Sequence, residues 1–268
     1  MKRSLLAAVI ALGTGLASAC SGSQTGKVDY APTAQQNYER GLKKIGQEDW
    51  VAAAKYFAFI KGRFPYSKYA VLAELRNGDA EFGAEHYQAA IDAFKQFIKF
   101  HPSHEMVRNG YASFRIAGAY WEMLPGDLWI LPPSFERDQT ATSDAHRELV
   151  EFVKKYPTSP QLPKARALLA RINRRLAAHE LYVARFYWKR GKPMGTVLRL
   201  RRLLDQHAHV GYDQEALYLL GKAYLEIDEP ARARQAWERL VKEYPKDNRA
   251  DEVRDQLTKL PATSSKPG

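Results

Sequence analysis

The sequence predicts an all-α fold, a tetratricopeptide-repeat solenoid of five helix-turn-helix units with an insertion in the third unit. Three observations predict this fold class. One segment matches the tetratricopeptide pattern, the spacing of its small residues and terminators recurs along the chain, and no segment shows the strict polar–apolar alternation of a β-strand. The chain is 45% hydrophobic and 12% aromatic, so a sizeable core can form.

The clearest unit extends from residue 217 to residue 245. It carries the leucine, Leu-Gly, tyrosine, alanine, aromatic and proline positions of the pattern in order: Leu217, Leu220, Gly221, Tyr224, Ala233, Trp237 and Pro245. We expect Gly221 and Ala233 to be small because two antiparallel helices approach closely there. Tyr224 and Trp237 then fill the space beside them, and Pro245 ends the second helix because it lacks an amide hydrogen.

The same spacing recurs in the other units: a small residue, another 12 residues later, and a terminator 12 residues after that. Each unit then consists of two helices joined by a short turn. The third unit has its second small residue and its terminator, but its first small residue lies too far upstream. This places the insertion at about residues 124–142. The matching positions are Gly41, Ala53 and Pro65; Gly78, Ala90 and Pro102; Gly118, Ala145 and Pro157; and, in a degenerate copy, Ala184, Thr196 and Ala208.

The start of the chain has the layout of a secretory signal peptide, predicted at residues 1–19. Lys2 and Arg3 precede an apolar run that is too short to span a bilayer, and small residues follow it. The segment 33–258 is the predicted repeat domain, and the polar segment 20–32 is predicted to be a flexible tether. The last residues, 259–268, have little to bury and are predicted to be a disordered tail.

Cys20 is the only cysteine in the chain, so an internal disulfide and a thiolate zinc site are both excluded. The residues before it resemble a bacterial lipobox, in which the cysteine becomes the lipidated first residue of the mature protein. Ala17 stands where such boxes usually have leucine. The alternative is an incidental cysteine in an exported chain. Ser21, in place of an aspartate, indicates the periplasmic face of the outer membrane, with two or three acyl chains as a stable anchor.

The sequence contains no arrangement typical of catalysis. The segment 101–105, "HPSHE", straddles a predicted turn, so its imidazoles do not share one helical face as a metal site requires. His207 and His209 also flank a turn. We therefore expect no enzymatic activity, no catalytic residue, no metal and no cofactor. A hydrolase hidden in the inserted loop is the least favoured alternative.

Two further features concern partners. The insertion is apolar and proline-rich, with Trp129, Ile130, Leu131 and Phe135, so it either packs back on the repeats or docks onto a partner. The formal net charge is +11, and residues 164–202 contain twelve lysines or arginines against one acid, Glu180. A solvated face, an acidic protein or anionic lipid headgroups would each account for this charge. Nucleic acid would also suit it, but the export signal argues against nucleic acid.

The sequence resembles the BamD family, lipoproteins of the β-barrel assembly machinery. The resemblance is carried from Cys20 onward by segments that include "RFPYSKY" at 63–69, "KKYPTSPQ" at 154–161 and "LYVARFYWKRG" at 181–191. It implies five tetratricopeptide units without enzymatic activity. In that family, amino-terminal units engage the carboxy-terminal targeting strand of unfolded outer-membrane protein precursors. Carboxy-terminal units hold the membrane-proximal POTRA domain of the barrel subunit BamA.

The resemblance also implies binding residues. Phe64, Tyr66 and Tyr69 fall at the turn implicated in precursor binding, where Phe64 replaces the more usual tyrosine. The alternative for these rings is that some of them only join neighbouring repeats. Arg199 falls at the arginine that pairs with an acidic POTRA residue. Accessory lipoproteins are possible further partners, but they cannot be assumed.

The helix that carries Arg199 is also informative on its own. Arg199, Arg201 and Arg202 cannot all face the core without uncompensated charge, so we expect some of them to project outward. Leu198, Leu203 and Val197 are expected to supply the apolar contacts of this helix.

The predicted function is that of a lipid-anchored scaffold that receives barrel precursors and couples them to a BamA-like insertase. The alternative is a periplasmic tetratricopeptide adaptor that organises peptidoglycan or cell-division enzymes.

Overall fold

The computed structural model describes residues 28–124, 126 and 132–260, and it contains helices and no β-strand within them. The predicted signal peptide and Cys20 lie outside the described residues. A boundary between two compact units falls inside α3, between Ala73 and Glu74. The helices are α1 (Ala34–Gly46), α2 (Trp50–Arg63), α3 (Lys68–Gly83), α4 (Tyr87–Phe100), α5 (Glu105–Arg108), α6 (Tyr111–Glu122), α7 (Thr140–Lys155), α8 (Leu162–Lys189), α9 (Pro193–Gln206), α10 (Asp213–Leu225), α11 (Pro230–Glu243) and α12 (Ala250–Lys259).

The predicted fold class is confirmed. The five helix pairs are α1–α2, α3–α4, α6–α7, α8–α9 and α10–α11, and the predicted small residues lie on them. In the second compact unit, which begins at Glu74, each helix from α6 to α12 packs against the next one. The short helix α5 and the last helix α12 lie outside the five pairs.

Glycines on the first helices make room for aromatic rings on the second helices. A Cβ added at Gly41 would lie 2.6 Å from the ring of Phe57, and one at Gly78 would lie 2.9 Å from the ring of Phe94. At Gly221 the corresponding distance, to Nε1 of Trp237, is 2.1 Å. Because non-bonded heavy atoms do not approach this closely, a side chain at any of the three positions would force the facing ring to move. The expectation that Gly221 is small for a close approach is confirmed, and the approaching group is the indole.

The second helix of every pair ends in the same way. Its C-cap residue has φ between −135° and −124° and donates its backbone N–H to the carbonyl four residues earlier. A proline follows the cap in four of the five pairs, as predicted, and Ala208 follows it in the fourth. An aromatic ring or imidazole at the cap is therefore a feature of the repeat: Phe64, His101, Tyr156, His207 and Tyr244.

The last residues of the predicted tether, 20–32, contact the first two helices. Tyr56 donates from its hydroxyl to the carbonyl of Asp29 over 3.0 Å. Ala31 is buried, and its backbone exchanges hydrogen bonds of 2.9 and 2.8 Å with the side chain of Asn37. The ring of Tyr30 stacks on Phe59 at 4.0 Å. The buried amide of Asn37 needs polar partners, and the backbone of Ala31 supplies them. Together these contacts hold residues 29–31 against α1 and α2.

Helices of the second compact unit bury large apolar side chains along its length. Its largest buried side chains come from successive helices and include Phe94 on α4, Phe152 on α7, Ile172 on α8, Leu200 on α9 and Leu217 on α10. Although α8 is 28 residues long, no helix in the described part of the chain is both long and apolar enough to cross a membrane.

Candidate binding surfaces

The aromatic turn, residues 64–69, comprises the connection between α2 and α3 and the first two residues of α3, and it contains three of the predicted binding residues. Tyr66 has a relative exposure of 102%, so its ring touches almost nothing in the described structure. Phe64 and Tyr69 are partly buried. The backbone N–H of Tyr69 donates to the hydroxyl of Ser67 over 3.2 Å, which fixes the start of α3. The three rings therefore differ in what they can offer a partner.

Phe64 and Tyr69 pack against other aromatic rings of the first compact unit, which ends at Ala73. Phe64 meets Phe59 edge to face with centroids 6.0 Å apart, and Tyr69 lies 5.6 Å from Tyr38. Tyr66 has no such contact, and the positions equivalent to it in the other helix pairs carry polar residues: Ser103, Thr158, His209 and Lys246. The repeat pattern accounts for an aromatic residue at position 64, because each pair has a ring or imidazole at this cap. It does not account for an exposed tyrosine at position 66.

Arg199 lies on α9 beside a buried carboxylate of α8. Its Nη1 donates to Glu180 Oε2 over 3.3 Å, and Arg202 Nη1 approaches Oε1 of the same carboxylate at 3.5 Å. The side chain of Glu180 is 8% exposed. Because a buried carboxylate needs charge compensation, Glu180 holds both guanidinium groups at this place. Arg199 is half-buried, whereas Arg201 and Arg202 are exposed, so the expectation that some of these arginines project outward is confirmed.

Arg199 and Arg202 border a surface groove of about 650 Å³, named here the α9 groove. It lies at the α8–α9 turn, and it combines apolar side chains with cations. The ring of Tyr187 lies against Gly195, where an added Cβ would be 2.9 Å from the ring. The groove is lined by Tyr187, Lys192, Met194, Leu198, Arg199 and Arg202, among others.

The expectation that Leu198 supplies core contacts is wrong, since its side chain is 61% exposed. Val197, Leu200 and Leu204 are buried, at intervals of three and four residues that place them on one helical face. Leu198 lies about 100° away from Val197 around the helix. Its exposure, together with that of Met194 four residues earlier, gives the α9 groove its apolar surface.

The insertion packs back on α8 over its described part. His179 donates from Nδ1 to the carbonyl of Phe135 over 2.6 Å, and the ring of Phe135 lies 6.0 Å from Tyr182. Gln139 is buried and donates to the carbonyl of Ser134 over 2.7 Å. The sequence left two alternatives for this loop, packing on the repeats or docking onto a partner. Residues 132–139 pack on the repeats. Trp129, Ile130 and Leu131 lie outside the described residues.

The histidines have structural roles. The imidazoles of His101 and His104 both lie 5.0 Å from the ring of Phe97, and His101 Nε2 lies 2.8 Å from Glu74. His207 is buried, and burial together with the imidazole of His146 lowers its pKa to about 4. Within the described residues, no group of three or more acidic, histidine or cysteine side chains is placed to hold a metal ion.

The sequence pointed to Arg199 as a candidate binding residue but not to the residues around it. Met194 and Leu198 form an i, i+4 pair on the face of α9 opposite its buried leucines, and this pattern was readable from the sequence. The role of Glu180 was not readable, since the carboxylate lies 19 residues from Arg199 and meets it only after α8 and α9 pack together.

Comparisons with known proteins identify the family to which the chain belongs. The family model YfiO, described as "Outer membrane lipoprotein", matches residues 31–240. The outer membrane protein assembly factor BamD of Neisseria gonorrhoeae is 26% identical over 255 residues, which cover 92% of each chain. The factor of the same name from Caulobacter vibrioides is 28% identical over 190 residues, covering 71% of this chain and 59% of that protein.

A search of solved structures finds a tetratricopeptide-repeat protein of Bacteroides fragilis. It is 13% identical with a TM-score of 0.49, and the match covers 85% of this chain and 99% of that one. The family match is the more informative finding, because it extends over most of the chain, from residue 31, which precedes α1, to residue 240 in α11. The chain therefore belongs to the YfiO family of outer membrane lipoproteins.

Proposed function

We propose that this protein supports outer membrane protein assembly as a scaffold that works by binding and not by catalysis. The observation that carries the proposal is membership of the YfiO family, together with relatives named as outer membrane protein assembly factors. Its partners are unfolded outer-membrane protein precursors and the membrane-proximal POTRA domain of a BamA-like insertase. Accessory lipoproteins could join the same assembly, and no cofactor or nucleic acid is involved.

The α9 groove is the proposed POTRA site. Met194 and Leu198 expose apolar surface there, and Arg199 and Arg202 place guanidinium groups beside it. Apolar contacts around a charge-assisted hydrogen bond are typical of the energetically important centre of a protein interface. Arg199 is already oriented by Glu180, so an incoming carboxylate finds a guanidinium that has lost part of its rotamer freedom.

The aromatic turn is the proposed precursor site. An extended precursor strand that carries aromatic side chains can pack against the rings of this turn. Tyr66 offers a whole ring, and the packed rings of Phe64 and Tyr69 support the turn that presents it. Aromatic pairs contribute roughly 0.5–1.5 kcal/mol beyond the area that they bury.

Replacing Tyr66 by alanine tests this site. We expect crosslinking to a peptide that ends in a barrel targeting strand to weaken about fivefold, equivalent to roughly 1 kcal/mol. Helicity by circular dichroism should stay unchanged, because Tyr66 packs against nothing in the first unit. Phe100→Ala is the matched control, since Phe100 is 65% exposed and belongs to α4, not to the aromatic turn. Equal crosslinking by the Tyr66 and Phe100 variants would remove Tyr66 from the proposal.

The lipid anchor at Cys20 is the second testable part. Cys20→Ala should leave a soluble or uncleaved protein that no longer fractionates with the outer membrane, because acyl chains supply the membrane affinity. The measurement is fractionation of envelopes, with the unprocessed precursor distinguished by its size. Normally processed variant in the outer-membrane fraction would show that Cys20 is not the anchor.

Copurification from detergent-solubilised envelopes tests the function as a whole. Recovery of a BamA-like barrel protein supports the scaffold proposed here. Recovery of peptidoglycan or cell-division enzymes in its place would favour the adaptor that the sequence left as an alternative.

A further inference from the structure

A second groove lies between α9, α10 and α11, and it is separate from the α9 groove. It has a volume of about 380 Å³ and is named here the α11 groove. Its floor is apolar and comes from α10, with Leu217, Leu220 and Tyr224 at intervals of three and four residues. All of its lining residues belong to the second compact unit.

The rims of the α11 groove are basic. Arg201 lines it from α9, and Arg232 and Arg239 line it from α11, whereas Asp205 is the one acidic lining residue. The guanidinium of Arg232 lies 3.5 Å from Glu229, and that of Arg239 lies 2.9 Å from Glu243. These pairs are at least one-third exposed on both sides, so they are worth under about 1 kcal/mol each and can yield to a better placed carboxylate.

The arginines of α9 serve two different grooves. Arg199 and Arg202 border the α9 groove and share Glu180, whereas Arg201 lies between them in sequence and lines the α11 groove. This division follows from helical geometry, since residues one apart point about 100° away from each other. The basic character of α9 is thus not one continuous solvated face.

The spacing of the rim cations fits an extended chain. Arg232 and Arg239 are seven residues apart on α11, which corresponds to about 10.5 Å along the helix axis. A peptide in the extended polyproline II conformation has three residues per turn and rises about 3.1 Å per residue, so carboxylates three residues apart lie on one side of it, about 9.3 Å from each other.

We propose that the α11 groove binds an extended acidic segment of a protein partner. The net positive rim provides charge complementarity, and the groove is recessed between three helices, which suits a single chain better than the flat surface of a bilayer. The site is distinct from the proposed POTRA and precursor sites, so it would serve a different partner or a different part of one.

The probe for this site is a fluorescein-labelled peptide that repeats Glu-Gly-Ser, in which every third residue is acidic. A peptide with glutamine in place of each glutamate is its uncharged counterpart. Binding to the purified protein is followed by fluorescence anisotropy at low salt. We expect saturable binding of the acidic peptide and at least about tenfold weaker binding of the glutamine peptide, because the contacts are charge-assisted.

The double variant Arg201→Gln, Arg232→Gln should weaken binding of the acidic peptide at least about tenfold. The matched control is Arg166→Gln, Lys242→Gln, which removes the same charge at exposed positions outside the groove and should change affinity less than about twofold. Melting curves of both variants show whether the fold is retained.

Three results would overturn the proposal. One is that the wild-type protein does not bind the acidic peptide, and another is that both double variants lose affinity equally. The third is that the groove variant keeps the peptide but loses binding to phosphatidylglycerol vesicles relative to its control, which would assign the charge to lipid.

Discussion

Replacing Gly221 by alanine is expected to destabilise the protein by about 3 kcal/mol. An added Cβ would lie 2.1 Å from Nε1 and 2.4 Å from Cδ1 of Trp237, a buried and rigid ring. Overpacking of a core costs about 1–3 kcal/mol and occasionally more. The indole also donates to the carbonyl of Tyr218 over 3.1 Å, and losing this hydrogen bond would leave a buried donor unpaired. The higher helix propensity of alanine offsets only about 1 kcal/mol.

The matched control is Gly62→Ala. Gly62 is helical, on α2, and an added Cβ there would meet no atom within 4 Å. Alanine should therefore stabilise the protein by about 0.5–1 kcal/mol through helix propensity alone. Urea unfolding followed by circular dichroism gives both values. A Gly221→Ala protein within about 0.5 kcal/mol of wild type would mean that the indole can move aside, and that the repeat does not need glycine at this position.

Gly221 packs against a ring of its own helix pair, whereas Gly62 faces no neighbouring atom. This difference shows which features of the fold can be predicted from the sequence. The repeat was recognisable because its small residues and aromatic rings have a fixed spacing, and that spacing is imposed by packing within each helix pair. Gly41, Gly78 and Gly221 each face a ring 16 residues later. A pattern that arises from contacts within one unit can be read locally, so the five pairs followed from the sequence alone.

The turns inside the pairs were less readable. Three of them place a residue other than glycine in the left-handed region: Glu48, Glu85 and Asp228, with φ between 58° and 62°. Such residues rarely adopt this conformation, so the usual rules for turns favour glycine or asparagine there. Only the α8–α9 turn follows those rules, with Gly191 at φ 63°. Packing of the two helices decides the conformation of the other three turns.

The residues of the two candidate binding surfaces could be predicted only in part, and the missing part has a physical cause. A family resemblance supplied Arg199 and Tyr66 by position, but it could not separate Tyr66, which is exposed, from Phe64, which is a repeat cap. The partners of Arg199 depend on how α8 packs against α9. Neither the burial of Glu180 nor the exposure of Leu198 is visible until both helices are in place.

Glu180 changes how the Arg199 experiment must be designed. It also contacts Arg202, so the buried carboxylate keeps one guanidinium partner when the Arg199 guanidinium is removed. Arg199→Glu would in addition place a second carboxylate beside Glu180, which costs stability through repulsion. Arg199→Ala removes the proposed contact without that repulsion. Melting curves of both variants separate loss of fold from loss of binding.

We expect Arg199→Glu to weaken binding to the membrane-proximal POTRA domain at least about a hundredfold, equivalent to roughly 2.7 kcal/mol. Truncating one partner of a buried charge pair at an interface costs on the order of 2–5 kcal/mol, whereas an exposed rim pair costs under about 1 kcal/mol. The half-buried position of Arg199 beside apolar Leu198 favours the larger cost. Arg199→Ala should lose at least about tenfold, since it removes the same hydrogen bonds without adding a negative charge.

Arg166→Glu provides the charge-matched control. Arg166 is exposed on the first turns of α8, and it lines neither groove. Because it makes the same change in net charge, it reports how much of any loss comes from the overall electrostatic field. Isothermal titration of each purified variant with the POTRA domain gives the affinities. If Arg199→Glu and Arg166→Glu both stay within about threefold of wild type, Arg199 serves only to neutralise Glu180, and the α9 groove is not the POTRA site.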